Sequence, residues 1–470
     1  MRKTKIICTL GPASENSEII RQMIEAGTDV FRLNMSHAKH EWVRDIVPRV
    51  RALAEQLGRN VALLLDTQGP SIRTGILQRD LSLAVGDVLE ITVRGAKCTE
   101  PNSITVNYDD LTDDVSVGDV VLLDNGLMQV RVLEKGGDRI RAAVLTAGTL
   151  GSRRHINLPG VHVNLPALTA KDLADVALGV ELGVDFVALS FARKKEDIEE
   201  LRQVLQESGS AAQVVAKIES QSAVREIDDM TRAADVILIA RGDLGIECPM
   251  EELPIIQRRI VKRCLRFGKP VIVATQMLES MVNHPVPTRA EITDVANAVF
   301  EQADAIMLTG ETTSGRYPVE CVNVLNRVAL RIERSGGAGY GKEALLEDPR
   351  EKTVAAAINL ANSLARAKII VFTHHGTMAR YVSNLRPERA PIFAVASNEL
   401  VCRQLAICWG MFPIRIDFTE DPNATIEAAV KHLRGEKLIV PNDNLVIISD
   451  VRAGQALVDC VQLRQVGAHA

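Results

Sequence analysis

A lysine and a glutamate close an apolar run, two residues apart. The segment VVAKIES (214–220) places Lys217 and Glu219 at positions i and i+2, which share a face if the run is a β-strand. Both side chains would then point the same way from the end of a hydrophobic strand. A surface ion pair and the floor of an active site both fit this pattern, and one strand does not decide between them.

Polar residues also stand at the ends of other apolar runs. These runs end in FRLNMSH, DTQGPSIR, FVALS, ARGDLG and ATQ, and the residues concerned are Arg32, Asn34, Ser36, His37, Asp66, Thr67, Arg73, Ser190, Gly242, Asp243, Thr275 and Gln276. Enzymes built on parallel barrels hold their sites at the C-terminal ends of the strands. If these runs are such strands, carboxylates, a lysine and two arginines converge on one rim.

This set of groups suits a phosphorylated anionic substrate that is bridged by a divalent cation. Glu219 and Asp243 are hard oxygen ligands, and two are enough because Mg²⁺ keeps waters and takes oxygens from its substrate. Arg32 and Arg73 offer fork-shaped donors to phosphate. Lys217 is a point charge that would stabilise negative charge developing in a transition state.

The ARGDLG segment precedes a helical pattern, so the backbone N–H groups of Gly242 and Asp243 would be available to a carboxylate. Each motif also has a purely structural explanation. A single K-x-E is more often a surface pair, GDLG is a common turn sequence, and His37 would be an ordinary loop histidine. Joint placement on successive strand ends favours a functional site, so Lys217 and Glu219 are interpreted as its floor.

Eight short apolar runs recur along the chain and predict the strands that position these residues. They are KIICTL (5–10), DVFRLN (29–34), VALLLD (61–66), DFVALS (185–190), QVVAKIE (213–219), DVILIA (235–240), PVIVATQ (270–276) and DAIMLTG (304–310). Nearly continuous Val, Ile and Leu indicates strands buried on both faces, as in parallel sheets. Amphipathic helix-sized segments lie between most of them. We therefore predict a (β/α)8 TIM barrel.

One gap between these runs, from Val61 to Asp185, is 124 residues long. Alternating runs with Gly, Asp and Asn turns fill it, which indicates an inserted antiparallel β module. Beyond a Gly-rich linker at 335–341, a helix over 353–367 and further strand–helix alternation indicate a C-terminal α/β domain. We predict a barrel domain at 1–70 and 166–340, an inserted β domain at 71–165, and a C-terminal regulatory domain at 341–470.

Composition narrows the class of protein. The 470 residues carry a net charge of −5 and are only 3% aromatic, which argues against a nucleic-acid partner. No apolar run is long enough to span a bilayer, and no secretory leader follows the basic N-terminus, so no membrane association is expected. Eight scattered cysteines predict reduced thiols and a cytoplasmic location.

The ordered motifs resemble those of the pyruvate kinase family. The matching segments over residues 3–320 are TKIICTLGPAS, RLNMSH, LLLDTQGP-IRTG, NLPGV, AKIE, ARGDLG, ATQMLESM and PTRAEITDVANAV, and THHGTMARYVSNLRP extends the match into the C-terminal region. The resemblance, to the bacterial type, implies transfer of the phosphoryl group of phosphoenolpyruvate to ADP, giving pyruvate and ATP. It also implies a homotetramer, and an inserted small β-barrel domain that closes over the site as a lid.

The resemblance further implies how substrate and metal are held. Arg32 would contact the substrate phosphate, while Glu219 and Asp243 would bind Mg²⁺ or Mn²⁺. Gly242, Asp243 and Thr275 would bind the carboxylate end of the substrate.

Catalytic and nucleotide-binding roles follow from the same resemblance. Lys217 would stabilise the phosphoryl group in transfer and the enolate, and Thr275 occupies the position associated with protonating the enolate. Arg73 would assist Lys217 and Thr275 in catalysis, because it would contact the nucleotide phosphates together with the turn at 34–37. Arg154 stands where the lid usually offers a nucleotide-contacting lysine, and arginine keeps the charge but not the geometry.

A K⁺ requirement is expected from the resemblance. The implied ligands are Asn34, Ser36, Asp66 and Thr67. Ser71 fits neither family pattern, since K⁺-dependent members carry Glu there and independent members carry Lys. Gln68 follows the independent group, whereas Thr74 follows the dependent group. We expect dependence, because the ligand set is intact and no lysine replaces the charge of the ion.

The C-terminal region is expected to bind an allosteric effector. The loop THHGTMAR lies between a predicted strand and helix, and its phosphate-binding candidates are Thr373, His374, His375, Gly376 and Thr377. Free N–H groups at a helix start bind phosphate, although a Thr-rich helix start explains the segment equally well. The final loop, SDVRAGQALVDCVQL, lacks the Ser-Gly-rich turn that resembles a fructose 1,6-bisphosphate clamp. A sugar monophosphate or AMP is the alternative effector.

Two other functions fit part of the pattern. A barrel lyase that uses Mg²⁺ and a pyruvate enolate would explain Lys217 and the carboxylates, but not the insertion or the second arginine. A catalytically silent paralogue that senses metabolites through its C-terminal domain is the other. The presence of Lys217, Glu219, Asp243 and Thr275 counts against it.

Overall fold

The computed structural model describes residues 1–161, 163–453 and 456–467. The chain begins with β1 (Lys5–Thr9), α1 (Ser17–Ala26), β2 (Val30–Asn34), α2 (His40–Gln56) and β3 (Ala62–Asp66). Every residue of β1 and β3 is buried, as expected of strands covered on both faces. Helix α1 starts after Asn16, whose side chain accepts a hydrogen bond from the Glu18 N–H at 2.8 Å. It ends at Gly27 with φ 116°, so its limits are set by local capping.

A β-rich insertion follows β3. Its elements are β4 (Ile72–Arg73), β5 (Leu81–Leu83), β6 (Val88–Thr92), β7 (Ser103–Thr105), α3 (Leu111–Asp114), β8 (Val120–Leu123), β9 (Met128–Gly136), β10 (Arg139–Val144), β11 (Gly148–Leu150) and β12 (His155–Asn157). One sheet has the order β4-β12-β8-β9-β10-β6-β7, and β11 pairs with β5 in a second. The paired strands are antiparallel except β6 and β7, which are parallel. Alternating residues of β10 are buried and pack into a separate apolar core.

The chain then returns to strand–helix alternation. The elements are α4 (Ala170–Glu181), β13 (Phe186–Leu189), α5 (Lys195–Glu207), β14 (Gln213–Ile218), α6 (Gln221–Arg225), α7 (Ile227–Ala233), β15 (Val236–Ala240), α8 (Arg241–Glu247), α9 (Leu253–Arg266), β16 (Val271–Ala274), a 3-10 turn (Glu279–Val282), α10 (Arg289–Phe300), β17 (Ala305–Leu308), α11 (Gly310–Thr313) and α12 (Pro318–Glu333). Five of these strands complete the set that β1, β2 and β3 begin.

Eight parallel strands close into a barrel with the order β1-β17-β16-β15-β14-β13-β3-β2. Each of the eight predicted apolar runs contains one of these strands. The predicted (β/α)8 barrel, interrupted after its third strand by a β-rich insertion, is therefore confirmed. Because all eight strands run the same way, their C-terminal ends form one rim.

The C-terminal domain is a three-layered α/β unit. It contains a 3-10 turn (Tyr340–Glu343), α13 (Pro349–Ser363), β18 (Ala367–Phe372), α14 (Thr377–Asn384), β19 (Ile392–Ala396), α15 (Glu399–Leu405), β20 (Met411–Arg415), α16 (Pro422–Gly435), β21 (Asn444–Ala453) and β22 (Ala456–Gln465). The sheet order is β20-β19-β18-β21-β22, with only the last pair antiparallel among these strands. The helix predicted at 353–367 is α13, which starts earlier because Asp348 and Glu351 form a capping box. The tip of the final loop, at residues 454–455, lies outside the described residues.

Two arginines of the C-terminal domain pair with aspartates that precede barrel strands. Arg403 lies 2.7 Å from Asp185, just before β13. Arg386 lies 2.6 Å from Asp304, just before β17. One apolar cluster also contains residues of both the barrel interior and the C-terminal sheet. The C-terminal domain therefore packs on the N-terminal end of the barrel, opposite the rim.

Within the described residues, no helix combines the length and the apolar character that crossing a membrane requires.

Candidate active site

The rim of the barrel and the insertion enclose a cavity of about 520 Å³. The predicted site residues that line it are Arg32, Asn34, Ser36, His37, Arg73, Arg154, Lys217, Glu219 and Asp243. Four further predicted residues adjoin this set. Asp66 and Thr67 bond to lining residues, while Gly242 precedes Asp243 and bonds to Thr275. The structure thus brings together side chains from six strand ends.

Lys217 lies on the wall of this cavity, almost entirely buried. Its Nζ lies 2.8 Å from Glu219 Oε1 and 3.3 Å from Asp66 Oδ1, and it donates to Ser190 Oγ at 2.7 Å. Burial by itself would lower the pKa of Lys217, but the Asp66 and Glu219 carboxylates raise it above the ordinary lysine value. The ammonium therefore stays charged beside the cavity.

Asp66 is fully buried and joins the two cations of the site. The Nε of Arg32 lies 2.6 Å from Asp66 Oδ2, and its NH1 donates to Thr9 Oγ1 at 3.1 Å. Burial opposes ionisation of Asp66, yet Lys217 and Arg32 hold its pKa below the usual range. These bonds fix the Arg32 guanidinium on the cavity wall and leave other N–H groups of the fork for a ligand.

Glu219 and Asp243 present two carboxylates to the same cavity. Glu219 Oε2 accepts the Phe191 N–H at 2.6 Å, whereas the Asp243 carboxylate accepts no hydrogen bond from the described residues. Burial raises the pKa of Glu219, and although Lys217 opposes this, the charge of Asp243 raises it further. Two hard carboxylates that face one cavity fit a divalent cation, whose charge would offset their mutual repulsion.

Protein ligands alone would not enclose such an ion. Among residues 1–161, 163–453 and 456–467, no group of three His, Cys, Asp or Glu side chains could hold a metal. Two carboxylates are nonetheless enough when water and substrate oxygens complete the shell, which is the usual arrangement for Mg²⁺.

Thr275 has an unusual backbone conformation at the end of β16. Its φ is 71°, and that of Gln276 is 55°, values that β-branched and long side chains rarely adopt. The Thr275 Oγ1 accepts the Gly242 N–H at 2.7 Å, and Arg241 donates to the Thr275 carbonyl at 2.7 Å. The Gly242 N–H, which is predicted to bind a substrate carboxylate, is thus bonded to Thr275 in this structure.

The residues predicted to meet the nucleotide come from both the barrel and the insertion. Arg73 donates to Ser71 Oγ at 3.1 Å and to the Arg153 carbonyl at 3.2 Å, and Arg154 lies 3.5 Å from Asp124. Arg73 is exposed, so its guanidinium is accessible to an anion. His155, the register partner of Arg73, is partly buried, and its pKa is lowered first by burial and then by Arg73.

The predicted K⁺ ligands lie close together on neighbouring strands. Asn34 and Asp66 are register partners in β2 and β3. The Asn34 Oδ1 accepts the Ser36 N–H at 3.2 Å, and Thr67 Oγ1 donates to the Ala188 carbonyl at 3.0 Å.

The predicted effector loop is not part of this cavity. Residues 373–376 connect β18 to α14, which starts at Thr377, in the domain that packs on the opposite end of the barrel. Gly376 has φ 83°. Arg380 NH2 lies 3.4 Å from the His375 carbonyl and 3.5 Å from Thr377 Oγ1, which adds a cation to the loop.

Two contributors to the site were missed by sequence reasoning. Phe191 acts through its backbone N–H, and no residue type signals a backbone donor. Arg241 donates hydrogen bonds to the carbonyls of Ala274 and Thr275 and forms an ion pair with Asp294. Arg241 belongs to ARGDLG, so the motif carried a signal for it, but only the glycine and aspartate of that motif were predicted to act.

Comparison with known proteins identifies the chain. The family model "Pyruvate kinase, barrel domain" matches residues 1–322, and "Pyruvate kinase, alpha/beta domain" matches residues 351–461. Pyruvate kinase of Geobacillus stearothermophilus is 42% identical over 465 residues, which cover 97% of this chain and 78% of that protein. Plastidial pyruvate kinase 3 of Arabidopsis thaliana is 40% identical over 454 residues, covering 95% and 78%.

A solved structure agrees with these relatives. The crystal structure of a pyruvate kinase from Cryptosporidium parvum has a TM-score of 0.94 and 34% identity, covering 99% of this chain and 96% of that one. Fold and site therefore define a phosphotransferase built on a (β/α)8 barrel. More specifically, the chain belongs to the pyruvate kinase family, of the bacterial type, and transfers the phosphoryl group of phosphoenolpyruvate to ADP in glycolysis.

Proposed function

We propose that the cavity at the barrel rim is the site of this transfer and that Lys217 is its central catalytic group. The supporting observation is a buried ammonium, bonded to Asp66, Glu219 and Ser190, on the wall of a polar cavity. Phosphoryl transfer requires mainly positioning and charge neutralisation. Lys217 would stabilise the phosphoryl group in transfer and the enolate oxygen that it leaves.

Substrate and metal are held around this lysine. Arg32, fixed by Asp66, contacts the substrate phosphate. Glu219 and Asp243 hold Mg²⁺ or Mn²⁺. When bound, the divalent cation supplies positive charge that neutralises phosphoryl oxygens.

The carboxylate end of the substrate lies at the start of α8. The substrate carboxylate replaces Thr275 Oγ1, which accepts the Gly242 N–H at 2.7 Å in this structure. It also accepts a hydrogen bond from the Asp243 N–H. Thr275 Oγ1 then loses one donor, and its own O–H, which donates to the Ala274 carbonyl at 2.6 Å in this structure, turns from that carbonyl to protonate the enolate and takes a replacement proton from solvent. Arg241 holds the Thr275 backbone in place.

The insertion acts as a lid. Arg73 and Arg154 belong to the two paired segments that connect it to the barrel, since Arg73 pairs with His155 and the Arg154 carbonyl accepts the Thr74 N–H. Their guanidinium groups would therefore follow its movement. Arg73 and the turn at 34–37 bind the nucleotide phosphates with Arg154. Closure excludes water, which would otherwise compete with ADP for the phosphoryl group.

The direct test is a coupled assay with the purified protein. We expect pyruvate to form from phosphoenolpyruvate only when ADP and Mg²⁺ are both present, with ATP in equal amount. Pyruvate released from phosphoenolpyruvate without ADP would indicate hydrolysis rather than transfer, and no ATP synthesis at all would favour the lyase or the silent paralogue.

A monovalent cation requirement is the second expected result. The Asn34–Asp66 register pair supports a K⁺ site formed by Asn34, Ser36, Asp66 and Thr67. Because Ser71 supplies no lysine to replace the charge of the ion, we expect kcat to be at least about tenfold higher in K⁺ than in tetramethylammonium at equal ionic strength. A tenfold difference corresponds to about 1.4 kcal/mol in the activation free energy. Equal rates in the two buffers would show independence.

Regulation, assembly and location complete the proposal. A phosphorylated effector, such as a sugar monophosphate or AMP, binds the loop Thr373–Thr377 with help from Arg380. Activation curves with each candidate and with fructose 1,6-bisphosphate distinguish them. The active form is a cytoplasmic homotetramer with a barrel domain (1–70 and 166–340), a lid (71–165) and a regulatory domain (341–470).

A further inference from the structure

The two residues that follow β13 contact both charged groups at the centre of the site. Ser190 Oγ accepts from Lys217 Nζ at 2.7 Å and donates to the Thr67 carbonyl at 2.7 Å. The Phe191 N–H donates to Glu219 Oε2 at 2.6 Å. One dipeptide therefore holds the ammonium through a side chain and the carboxylate through its backbone.

The direction of the Phe191 N–H depends on an unusual backbone conformation. Phe191 has φ 57°, in the left-handed region that bulky residues rarely enter. Such a conformation persists only where the surroundings hold it. The surroundings of Phe191 are therefore part of what orients Glu219.

Gly69 provides one of these contacts, at the start of the segment that leads into the lid. A Cβ on Gly69 would lie 2.8 Å from Ser190 Cβ and 2.9 Å from Phe191 Cδ2, so its backbone packs directly on the dipeptide. The Gly69 N–H donates to Asp172 Oδ1 on α4 at 3.0 Å. Strand β4 of the lid begins three residues later, at Ile72.

His155 provides the second contact, from the segment that leads back out of the lid. Its ring centroid lies 6.0 Å from that of Phe191. His155 and Phe191 also form a shared wall, with the 520 Å³ cavity on one side and a second cavity of about 460 Å³ on the other. The Phe191 ring therefore lies between the two cavities and packs against both lid connections.

We propose that Ser190 and Phe191 are positioning residues, which set the Lys217 ammonium and the Glu219 carboxylate according to the position of the lid. This inference rests on the proposed function, since it assigns Glu219 to the metal and Lys217 to the chemistry. A displaced lid shifts Gly69 and His155, and through them the dipeptide. Metal affinity and turnover are thereby linked to lid position.

The test compares two glycine variants with the same backbone strain. Gly69 has φ 71° and packs on the dipeptide, whereas Gly58 has φ 60° and would place a Cβ in open space. We expect Gly69→Ala to weaken Mn²⁺ binding to the free protein, measured by electron paramagnetic resonance, by about 10- to 100-fold, as for other partners of metal ligands. Gly58→Ala should bind Mn²⁺ like the unaltered protein.

Ser190→Ala tests the lysine separately. We expect kcat to fall by about 10- to 100-fold, with Mn²⁺ affinity and the KM for phosphoenolpyruvate unchanged. Ser190 Oγ bonds to Lys217, to the Thr67 carbonyl and to Asp66, but to neither of the proposed metal ligands. A general packing defect would alter all three quantities. If Gly69→Ala is unstable, His155→Ala serves as the second lid contact and should also weaken Mn²⁺ binding.

Two results would overturn the inference. The first is that the Gly69→Ala or the His155→Ala variant binds Mn²⁺ as tightly as the Gly58→Ala variant does. The second is that the Ser190→Ala variant has an unchanged kcat. Failure of the proposed function has a different signature, namely a Lys217→Met variant that still turns over normally. If Lys217→Met is inactive while Gly69→Ala matches Gly58→Ala, only the positioning role is wrong.

Discussion

Replacing Lys217 by methionine is expected to lower kcat by about 10³-fold or more while Mn²⁺ and phosphoenolpyruvate still bind. Methionine fills a similar volume but removes the one ammonium that Asp66, Glu219 and Ser190 hold against the cavity. A 10³-fold loss corresponds to about 4 kcal/mol, the upper end of the cost of removing one preorganised neutral donor, and Lys217 carries a full charge. The ligands proposed for the metal and for the substrate phosphate, Glu219 and Arg32, remain in place.

The control for this variant is Lys5→Met. Lys5 is also a buried lysine, and its Nζ donates to the Met411 carbonyl at the opposite end of the barrel. Both variants should lose thermal stability, since each removes a buried polar contact. Only Lys217→Met should lose turnover. A near-normal kcat for Lys217→Met would refute its catalytic role, as would an equal loss in Lys5→Met.

Replacing Glu219 by glutamine is expected to raise the Mg²⁺ concentration needed for half-maximal rate by about 100-fold or more. The amide oxygen can still accept the Phe191 N–H, but the site loses one of its two anionic ligands, and hard divalent cations depend on ligand charge. Titration of Mn²⁺ into the free variant, followed by electron paramagnetic resonance, should show the same weakening without any turnover.

Glu247→Gln is the matched control. Glu247 lies on α8, four residues beyond Asp243, and bonds to Asn157 Nδ2 at 3.2 Å. It lines the second cavity rather than the cavity at the barrel rim. Its replacement should leave the metal titration unchanged. An unchanged Mg²⁺ titration for Glu219→Gln would exclude Glu219 as a ligand, and a shift of equal size in Glu247→Gln would indicate a non-specific charge effect.

The barrel was predictable because its strands are buried on both faces. Runs such as VILIA (236–240) contain no polar residue, and all five residues are buried. The polar residues just beyond these runs could therefore be assigned to one rim before any distance was known. The insertion was harder to predict in detail, because strands of two or three residues, such as β5 and β11, are too short to show a period.

The features of the site that the sequence did not predict depend on contacts between segments that are distant in the chain. Asp66 was predicted as a K⁺ ligand, and only the structure shows that it also pairs with Lys217 and Arg32. The positive φ of Phe191 and the Gly242–Thr275 hydrogen bond depend on tertiary packing. Local residue preferences do not encode such contacts, so pattern reasoning identifies the residues but not their bonds.

The separation of the apolar cores has a consequence for the order in which the domains unfold. The insertion has its own core, whereas one cluster spans the barrel interior and the C-terminal sheet. Barrel and C-terminal domain should therefore lose structure in a single cooperative transition. The insertion is joined to them through two chain segments and can unfold locally at a lower free energy. Its amides should therefore exchange with deuterium earlier than those of β15.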